Sequence, residues 1–152
     1  MSRKWFNNKV PNNEKILSEN KLENYAKIAV EKYIYNFDNY KLDQAADEVL
    51  SLAINTNLYL NDKQPWMLIK DKDNVPLVKQ IIYNVLESTR IIGLLLIPLL
   101  PELSKKINEQ LGSLYREEIP WKQQLIWGLL LSNSILPKPF PIINKLEYEQ
   151  NL

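Results

Sequence analysis

The sequence predicts an all-α protein, an antiparallel bundle of helices followed by an irregular C-terminal tail. Apolar residues recur at spacings of three and four along most of the chain up to Gly112, as expected of amphipathic helices. The polar or proline-containing links between these segments are short, and short links join antiparallel neighbours in helical bundles. With only 3 glycines in 152 residues, the chain has little material for the many turns of a β-sandwich.

Composition limits the possible functions. At 152 residues, of which 45% are hydrophobic and 24% charged, the chain is expected to form one globular domain. It contains neither cysteine nor histidine, which removes thiol nucleophiles, imidazole bases, disulfides and conventional zinc sites. The formal net charge of +1 argues against a general binder of polyanions. A reducing, cytoplasmic location fits this composition, and the longest apolar run, Ile91 to Leu100, is too short to span a bilayer.

The N-terminal residues around Trp5 are typical of the end of a helix that leads into a turn at Pro11. We expect the first long helix to run from about Asn13 to Phe37, with a turn following it. The apolar stripe of this helix comprises Leu22, Tyr25, Ala26, Ala29, Tyr33 and Phe37.

We expect a second long helix from about Tyr40 to Leu60. Its stripe comprises Leu42, Ala46, Val49, Ala53, Asn57 and Leu60. Asn57 is the polar member of this stripe. An amide on a core face is ordinarily satisfied by a hydrogen bond, and we expect a loop backbone to supply it.

Prolines and a glycine mark the next helices. A short helix is expected from Gln64 to Lys70, with Pro65 in the first turn, where its missing N–H costs nothing. A long helix is expected from Val75 to about Ile97, and another from Pro101 to its C-terminal Gly112. The stripe of the long helix comprises Val78, Ile81, Ile82, Val85, Thr89, Ile92 and Leu96.

The charged residues form no catalytic set. Asp43, Asp47 and Glu48 fall on the polar face of the second helix, where such residues are ordinarily solvated. Glu87 and Arg90, three residues apart, are expected to form a surface ion pair worth a few tenths of a kcal/mol. A phosphate contact by Arg90 is the alternative.

Trp66 is the candidate binding residue, since it follows Pro65 at a helix end rich in amides. An aromatic ring held there can stack on an unpaired base, an interaction worth about 1–3 kcal/mol. The alternative is that Trp66 covers core between two helices, as large aromatic residues commonly do. Lysines such as Lys70 could position an RNA backbone if they share the face of Trp66.

The chain resembles the C-terminal anticodon-binding domain of methionyl-tRNA synthetases in four motifs, which occur in the family's order and spacing. The first motif is Phe37 and Tyr40 at a helix break, followed by Asn57-x-Tyr59-Leu60-x4-Pro65-Trp66-x-Leu68-x-Lys70. The second is the stretch from Val85 through Glu87 and Arg90 to Pro98 and Pro101. The third is Ile107-x3-Leu111-Gly112, and the fourth is Leu136-Pro137-Lys138-Pro139-x-Pro141. The resemblance extends from Arg3 to Glu147.

The resemblance implies that residues 1–152 form an anticodon-binding helical domain that recognises the CAU anticodon of tRNA(Met). Trp66 matches the family's anticodon-stacking tryptophan, and Asn61 matches a position where the family uses a polar side chain at the anticodon. Asn57 and Lys70 complete the set of predicted RNA-binding residues. The implied partners are the anticodon stem-loop of tRNA(Met) and a methionyl-tRNA synthetase catalytic domain in cis or in trans, with no membrane involved.

Two departures from the family qualify this implication. The family's His-Ile-Gly-His-like and Lys-Met-Ser-Lys-Ser-like signatures are absent, so the catalytic Rossmann domain and its site are not expected in this chain. ATP, and zinc where the parent enzyme holds a metal, would belong to that domain, and no cofactor is expected here. The family's Asn-Leu-x-x-Arg segment would precede Met1, so we expect the domain to lack its first helix.

Two readings of function remain open. In the first, the parent enzyme ligates methionine to tRNA with ATP, and this domain binds the anticodon without performing chemistry. In the second, the chain is a small helical protein-interaction module derived from that domain without RNA binding, its missing helix leaving an apolar groove for a partner. For the first reading, we expect Trp66 to be at least partly exposed beside Asn61.

Overall fold

The computed structural model describes residues 1–13, 15–16, 20–113 and 115–143. Its α-helices are α1 Ser2–Trp5, α2 Lys21–Asp38, α3 Leu42–Lys63, α4 Pro65–Leu68, α5 Val75–Leu95, α6 Pro101–Leu111 and α7 Trp121–Gln124. A single 3-10 turn, Lys72–Asn74, precedes α5. Helices make up more than half of the chain, and β-structure in the described ranges is limited to one isolated bridge between Lys9 and Ile135. The all-α prediction is confirmed.

The helical hairpin of α2 and α3 forms one side of the bundle. The predicted start of the first long helix at Asn13 is wrong, because the helix begins after Asn20, whose side-chain oxygen accepts a hydrogen bond from the Glu23 N–H at 3.3 Å. Glu14 and residues 17–19 lie outside the described residues. The core face of α2 is otherwise as predicted, except that Tyr25 is 46% exposed.

The buried face of α3 differs from the predicted stripe. Its buried residues are Ala45, Val49, Leu52, Thr56 and Tyr59. Leu42, Ala46 and Asn57 of the predicted stripe are exposed instead. The prediction failed because the true stripe contains the hydroxyls of Thr56 and Tyr59, both of which find buried partners: Thr56 shares a 2.6 Å hydrogen bond with Ser88, and Tyr59 accepts one of 3.1 Å from Asn84.

The long helix α5 is the centre of the molecule and packs against α2, α3, α4 and α6. The main core contains side chains from α2, α3, α5, α6 and the segment after α7. Gly93 allows α6 to approach closely, since the Ser104 hydroxyl donates to the Gly93 carbonyl at 2.6 Å. None of the helices in the described ranges combines the length and the apolar character needed to cross a membrane.

Glu87 and Arg90 form a buried ion pair, so the expected surface pair is wrong, and a phosphate contact by Arg90 does not fit its burial. The Glu87 side chain is 0% exposed and that of Arg90 4%, and two hydrogen bonds of 2.6 and 2.9 Å join them. The carboxylate also accepts the backbone N–H groups of residues 128–130, at 2.7 to 3.1 Å. Arg90 donates to the carbonyls of Gln124 and Ile126. The physical reason is that the C-terminal segment, residues 115–143, covers this side of α5.

The C-terminal segment lies over the bundle, and the predicted irregular tail is thereby confirmed. It also holds the N-terminal residues: the Val10 N–H donates to Ser134 O at 2.9 Å, and the Asn133 N–H donates to Val10 O at 2.8 Å. The Tyr83 hydroxyl of α5 donates to Leu130 O at 3.0 Å within the same small cluster. The two ends of the described chain are thereby joined on one side of α5.

Candidate RNA interface

The candidate interface is the corner where α3 ends and α4 begins. The Gln64 N–H donates to Leu60 O at 3.1 Å and closes the last turn of α3, while Gln64 O accepts from the Met67 N–H at 2.9 Å in α4. Gln64 itself is left-handed, with φ 44° and ψ 56°. Pro65 follows at the start of α4, and its side chain is fully buried. Backbone hydrogen bonds and a buried proline therefore fix this corner on the bundle.

Trp66 projects from this corner with 40% of its surface exposed. The other three tryptophans, Trp5, Trp121 and Trp127, are all less exposed. Trp121 is committed to the core, where its indole N–H donates to Leu94 O at 3.0 Å. The predicted partial exposure of Trp66 is confirmed, and its ring retains surface on which a base could stack.

Asn57 and Asn61 lie one turn apart on α3, and both are exposed. Residues four apart share a helix face, so the two amides are neighbours. The expectation that Asn57 is satisfied on a core face is wrong, since the buried face of α3 is Thr56 and Tyr59 at this level. In the described part of the chain, neither amide side chain has a hydrogen-bond partner, and both are available to a ligand.

Lys70 lies just beyond α4, and its ammonium group is 3.7 Å from the Met67 sulfur. Met67 is 53% exposed and adjoins Trp66 in sequence, so this contact places the Lys70 ammonium group against α4, the helix that carries the ring. The corner is not strongly basic. Its other charged residues are Lys63, Lys72, Asp62, Asp71 and Asp73. Such a balance suits a few placed contacts better than general attraction to a polyanion.

A network of side-chain hydrogen bonds connects the helix that leads to this corner with its neighbours in the bundle. The Asn84 amide of α5 donates to the Tyr59 hydroxyl at 3.1 Å and to the Asn20 side-chain oxygen at 3.2 Å. Burial raises the pKa of Tyr59, and the hydrogen bond from Asn84 offsets part of that rise, so the phenol is neutral at physiological pH. This network ties the end of α3 to α5 and to the first turn of α2.

Sequence reasoning missed the backbone conformation of Gln64. A residue before proline is normally extended, so the Gln64-Pro65 dipeptide gives no signal for a left-handed residue. Met67 was also missed as the residue in contact with Lys70, although its spacing of three from Lys70 on a helix was a usable signal.

A cavity of about 540 Å³ lies elsewhere, between the end of α6 and the C-terminal segment. Gly112, Tyr115, Arg116 and Gln124 contribute to its lining, and none of the four predicted RNA-binding residues does. The Gln124 amide is fully engaged there, accepting from the Arg116 N–H and donating to the carbonyls of Arg116 and Ile119. Among the described residues, no buried side-chain polar atom without a hydrogen-bond partner lines this cavity.

Comparison with known proteins gives a consistent result. The family model described as the anticodon binding domain of methionyl tRNA ligase matches residues 10–150. The methionine–tRNA ligase of Nostoc sp. is 32% identical over 145 residues, which cover 92% of this chain and 27% of that protein. The ligase of Clostridium tetani is 34% identical over 113 residues, covering 74% of this chain and 18% of that protein. The chain thus spans less than a third of the length of these relatives.

The fold also matches a solved structure. The apo form of Mycobacterium tuberculosis methionyl-tRNA synthetase superimposes with a TM-score of 0.76 at 23% identity, covering 93% of this chain and 29% of that one. At this identity the match concerns the fold alone.

Proposed function

The chain belongs to the family of the anticodon-binding domain of methionyl-tRNA ligases, and from this we propose that it binds the anticodon stem-loop of tRNA(Met) and recognises its CAU sequence. The observation that carries the proposal is the exposure of Trp66 at a corner fixed by Pro65 and by the backbone of Gln64. Because the backbone that carries the ring is already fixed, less of the site has to be ordered when an unstacked base binds, which lowers the entropic cost of binding.

Each predicted site residue has a distinct role in this proposal. Trp66 stacks on an anticodon base, and the exposed amides of Asn61 and Asn57 hydrogen-bond to base edges. Lys70 contacts a phosphate and positions the strand without reading its sequence. The balanced charge of the corner means that affinity rests on stacking and hydrogen bonds more than on counterion release.

The reaction itself is assigned to a larger protein. The relatives are methionine–tRNA ligases more than three times as long as this chain, and we propose that the parent enzyme ligates methionine to tRNA with ATP. This domain contributes tRNA docking and anticodon selection. Its partners are accordingly tRNA(Met) and a ligase catalytic domain, in cis or in trans.

A second candidate function has one observation in its favour. Leu50, Ile54 and Leu58 are each 51–59% exposed and repeat every fourth residue on α3, opposite its buried face. Such a stripe would suit a protein-interaction module without RNA binding.

Direct binding to RNA separates the two functions. The chain is titrated with a hairpin carrying the CAU loop and with the same hairpin carrying a changed anticodon. We expect preference for CAU, and we expect Trp66→Ala to weaken binding by about 1–3 kcal/mol, the range for one stacked base. Tyr40→Ala is the matched control, because Tyr40 is 93% exposed at the opposite end of α3 and should leave binding unchanged.

The proposal fails if the chain binds neither hairpin, which would favour the interaction module. It also fails if Trp66→Ala leaves binding of the CAU hairpin unchanged, since the ring would then stack on no base.

A further inference from the structure

Gln64 has a backbone conformation that its residue type does not favour. A left-handed conformation is unfavourable for an L-residue, and glycine or asparagine normally occupies the residue that ends a helix in this way. Proline at the next position adds a second conflict, because it favours an extended conformation in the residue before it. Gln64 nevertheless adopts φ 44°, since its N–H caps α3 and its carbonyl begins α4.

The Gln64 side chain provides no compensation within the fold. It is exposed, and across the described ranges its amide has no hydrogen-bond partner. The capping itself uses only backbone atoms, which glycine would supply equally well. The structure therefore gives a reason for a left-handed residue here, but no structural reason for glutamine.

We propose that Gln64 is an additional specificity-determining residue, whose amide reads the edge of a base next to the one stacked on Trp66. This inference rests on the proposed function of the corner. A primary amide offers a donor and an acceptor and can pair with a Watson–Crick edge. Because the Gln64 backbone is fixed from both sides, its side chain starts from a set position two residues before Trp66.

Two variants of Gln64 distinguish its amide from its backbone. Gln64→Gly removes the amide and relieves the left-handed strain, so the melting temperature should rise by a few degrees. Gln64→Ala removes the amide and keeps the strain. We expect both to weaken binding of the CAU hairpin by roughly three- to tenfold, the range for one hydrogen bond, and to reduce preference over a changed anticodon.

Asn133→Gly is the matched control. Asn133 is also an exposed amide residue with positive φ, 63°, and its backbone N–H bond to Val10 O is one that glycine retains. This variant should leave RNA affinity at the wild-type value.

Three outcomes decide the matter. If Gln64→Ala binds as tightly as wild type while Trp66→Ala does not, the amide reads nothing and this inference falls alone. If Gln64→Gly weakens binding and Gln64→Ala does not, the effect is one of backbone placement, and the reading role is again wrong. If the wild-type chain binds neither hairpin, the proposed function falls and this inference falls with it.

Discussion

At the scale of single residues, the Glu87–Arg90 pair shows how burial changes the value of an interaction. Exposed ion pairs are worth about 0–1 kcal/mol, whereas removing one partner of a buried pair leaves an uncompensated charge. The Glu87 carboxylate also accepts three backbone N–H groups of the C-terminal segment. The pair therefore joins α5 to the segment that covers it.

We expect Glu87→Gln to lower the free energy of unfolding by about 3–5 kcal/mol, because Arg90 would remain buried without its counter-charge. Denaturant unfolding measures this directly. Glu118→Gln is the control, since Glu118 is 69% exposed and pairs with Arg116 at 3.9 Å, and it should change stability by less than about 0.5 kcal/mol. Equal small effects of the two changes would contradict the described burial.

Loss of the hydroxyl group is expected to change stability in opposite directions at two buried tyrosines. The Tyr33 hydroxyl has no hydrogen-bond partner among the described residues, whereas the Tyr83 hydroxyl donates to Leu130 O. Tyr33→Phe should therefore be neutral or stabilising at pH 7. Tyr83→Phe should cost about 1–3 kcal/mol, since it leaves a buried carbonyl unpaired.

The same tyrosines predict a loss of stability in alkali. Burial raises the pKa of both phenols from 10.0 to about 12. Their neutral forms are favoured in the folded state, so this contribution is present below pH 10 and is lost as the pH rises toward 12. Between pH 10 and pH 12, ionisation of each phenol should lower the free energy of unfolding by about 1.4 kcal/mol per pH unit. Tyr33→Phe should make the loss of stability with pH less steep. An unchanged slope would contradict the raised pKa of Tyr33.

At the scale of elements, the close approach of α5 and α6 depends on Gly93. A Cβ at this position would lie 2.8 Å from the Asn108 side-chain oxygen and 3.0 Å from an Ile107 methyl group. Gly93→Ala gains helix propensity of about 1 kcal/mol but must displace buried atoms, which costs about 1–3 kcal/mol. We expect net destabilisation in a thermal melt.

A second substitution tests the cause. Asn108→Ala removes the nearest atom, so Gly93→Ala should cost less in that background than in wild type. Strict additivity of the two changes would show that the glycine is not required for this contact.

The sequence located the helix ends that proline and glycine mark, but it misplaced the start of α2 and the buried face of α3. Pro65, Pro101 and Gly112 marked element boundaries correctly, since each has a local conformational effect. The face of α3 was misjudged because Thr56 is polar but buried against Ser88. Burial of Glu87 depended on a segment some 40 residues away in sequence, which helical periodicity alone cannot reveal.

The same distinction applies to the candidate site. The position of Trp66 after Pro65, a local feature, placed it at a helix end as predicted, but left open whether its ring is exposed or covers the core. The left-handed conformation of Gln64 arises because this one residue both ends α3 and precedes α4. Sequence rules for either helix alone do not predict it.

At the scale of the whole molecule, charge determines what kind of RNA binding is possible. With 19 basic and 18 acidic residues, the chain has little long-range attraction for a polyanion. Binding should therefore be dominated by stacking and base-edge contacts at the corner. Its affinity should respond to salt less steeply than that of a basic RNA-binding protein.

This view predicts different salt responses for two residues of the same corner. Lys70→Ala should weaken binding to any hairpin modestly and reduce the slope of log K against log salt by about 1, as expected for loss of one phosphate contact. Trp66→Ala should lower affinity for the CAU hairpin with the slope unchanged, because stacking releases no counterion. Lys105→Ala on α6 is the control, since Lys105 is exposed on a different helix and should alter neither quantity. Titrations at several salt concentrations provide the slopes. If Lys70→Ala and Lys105→Ala change the slope equally, the lysines act through net charge, and Lys70 has no placed contact with the RNA.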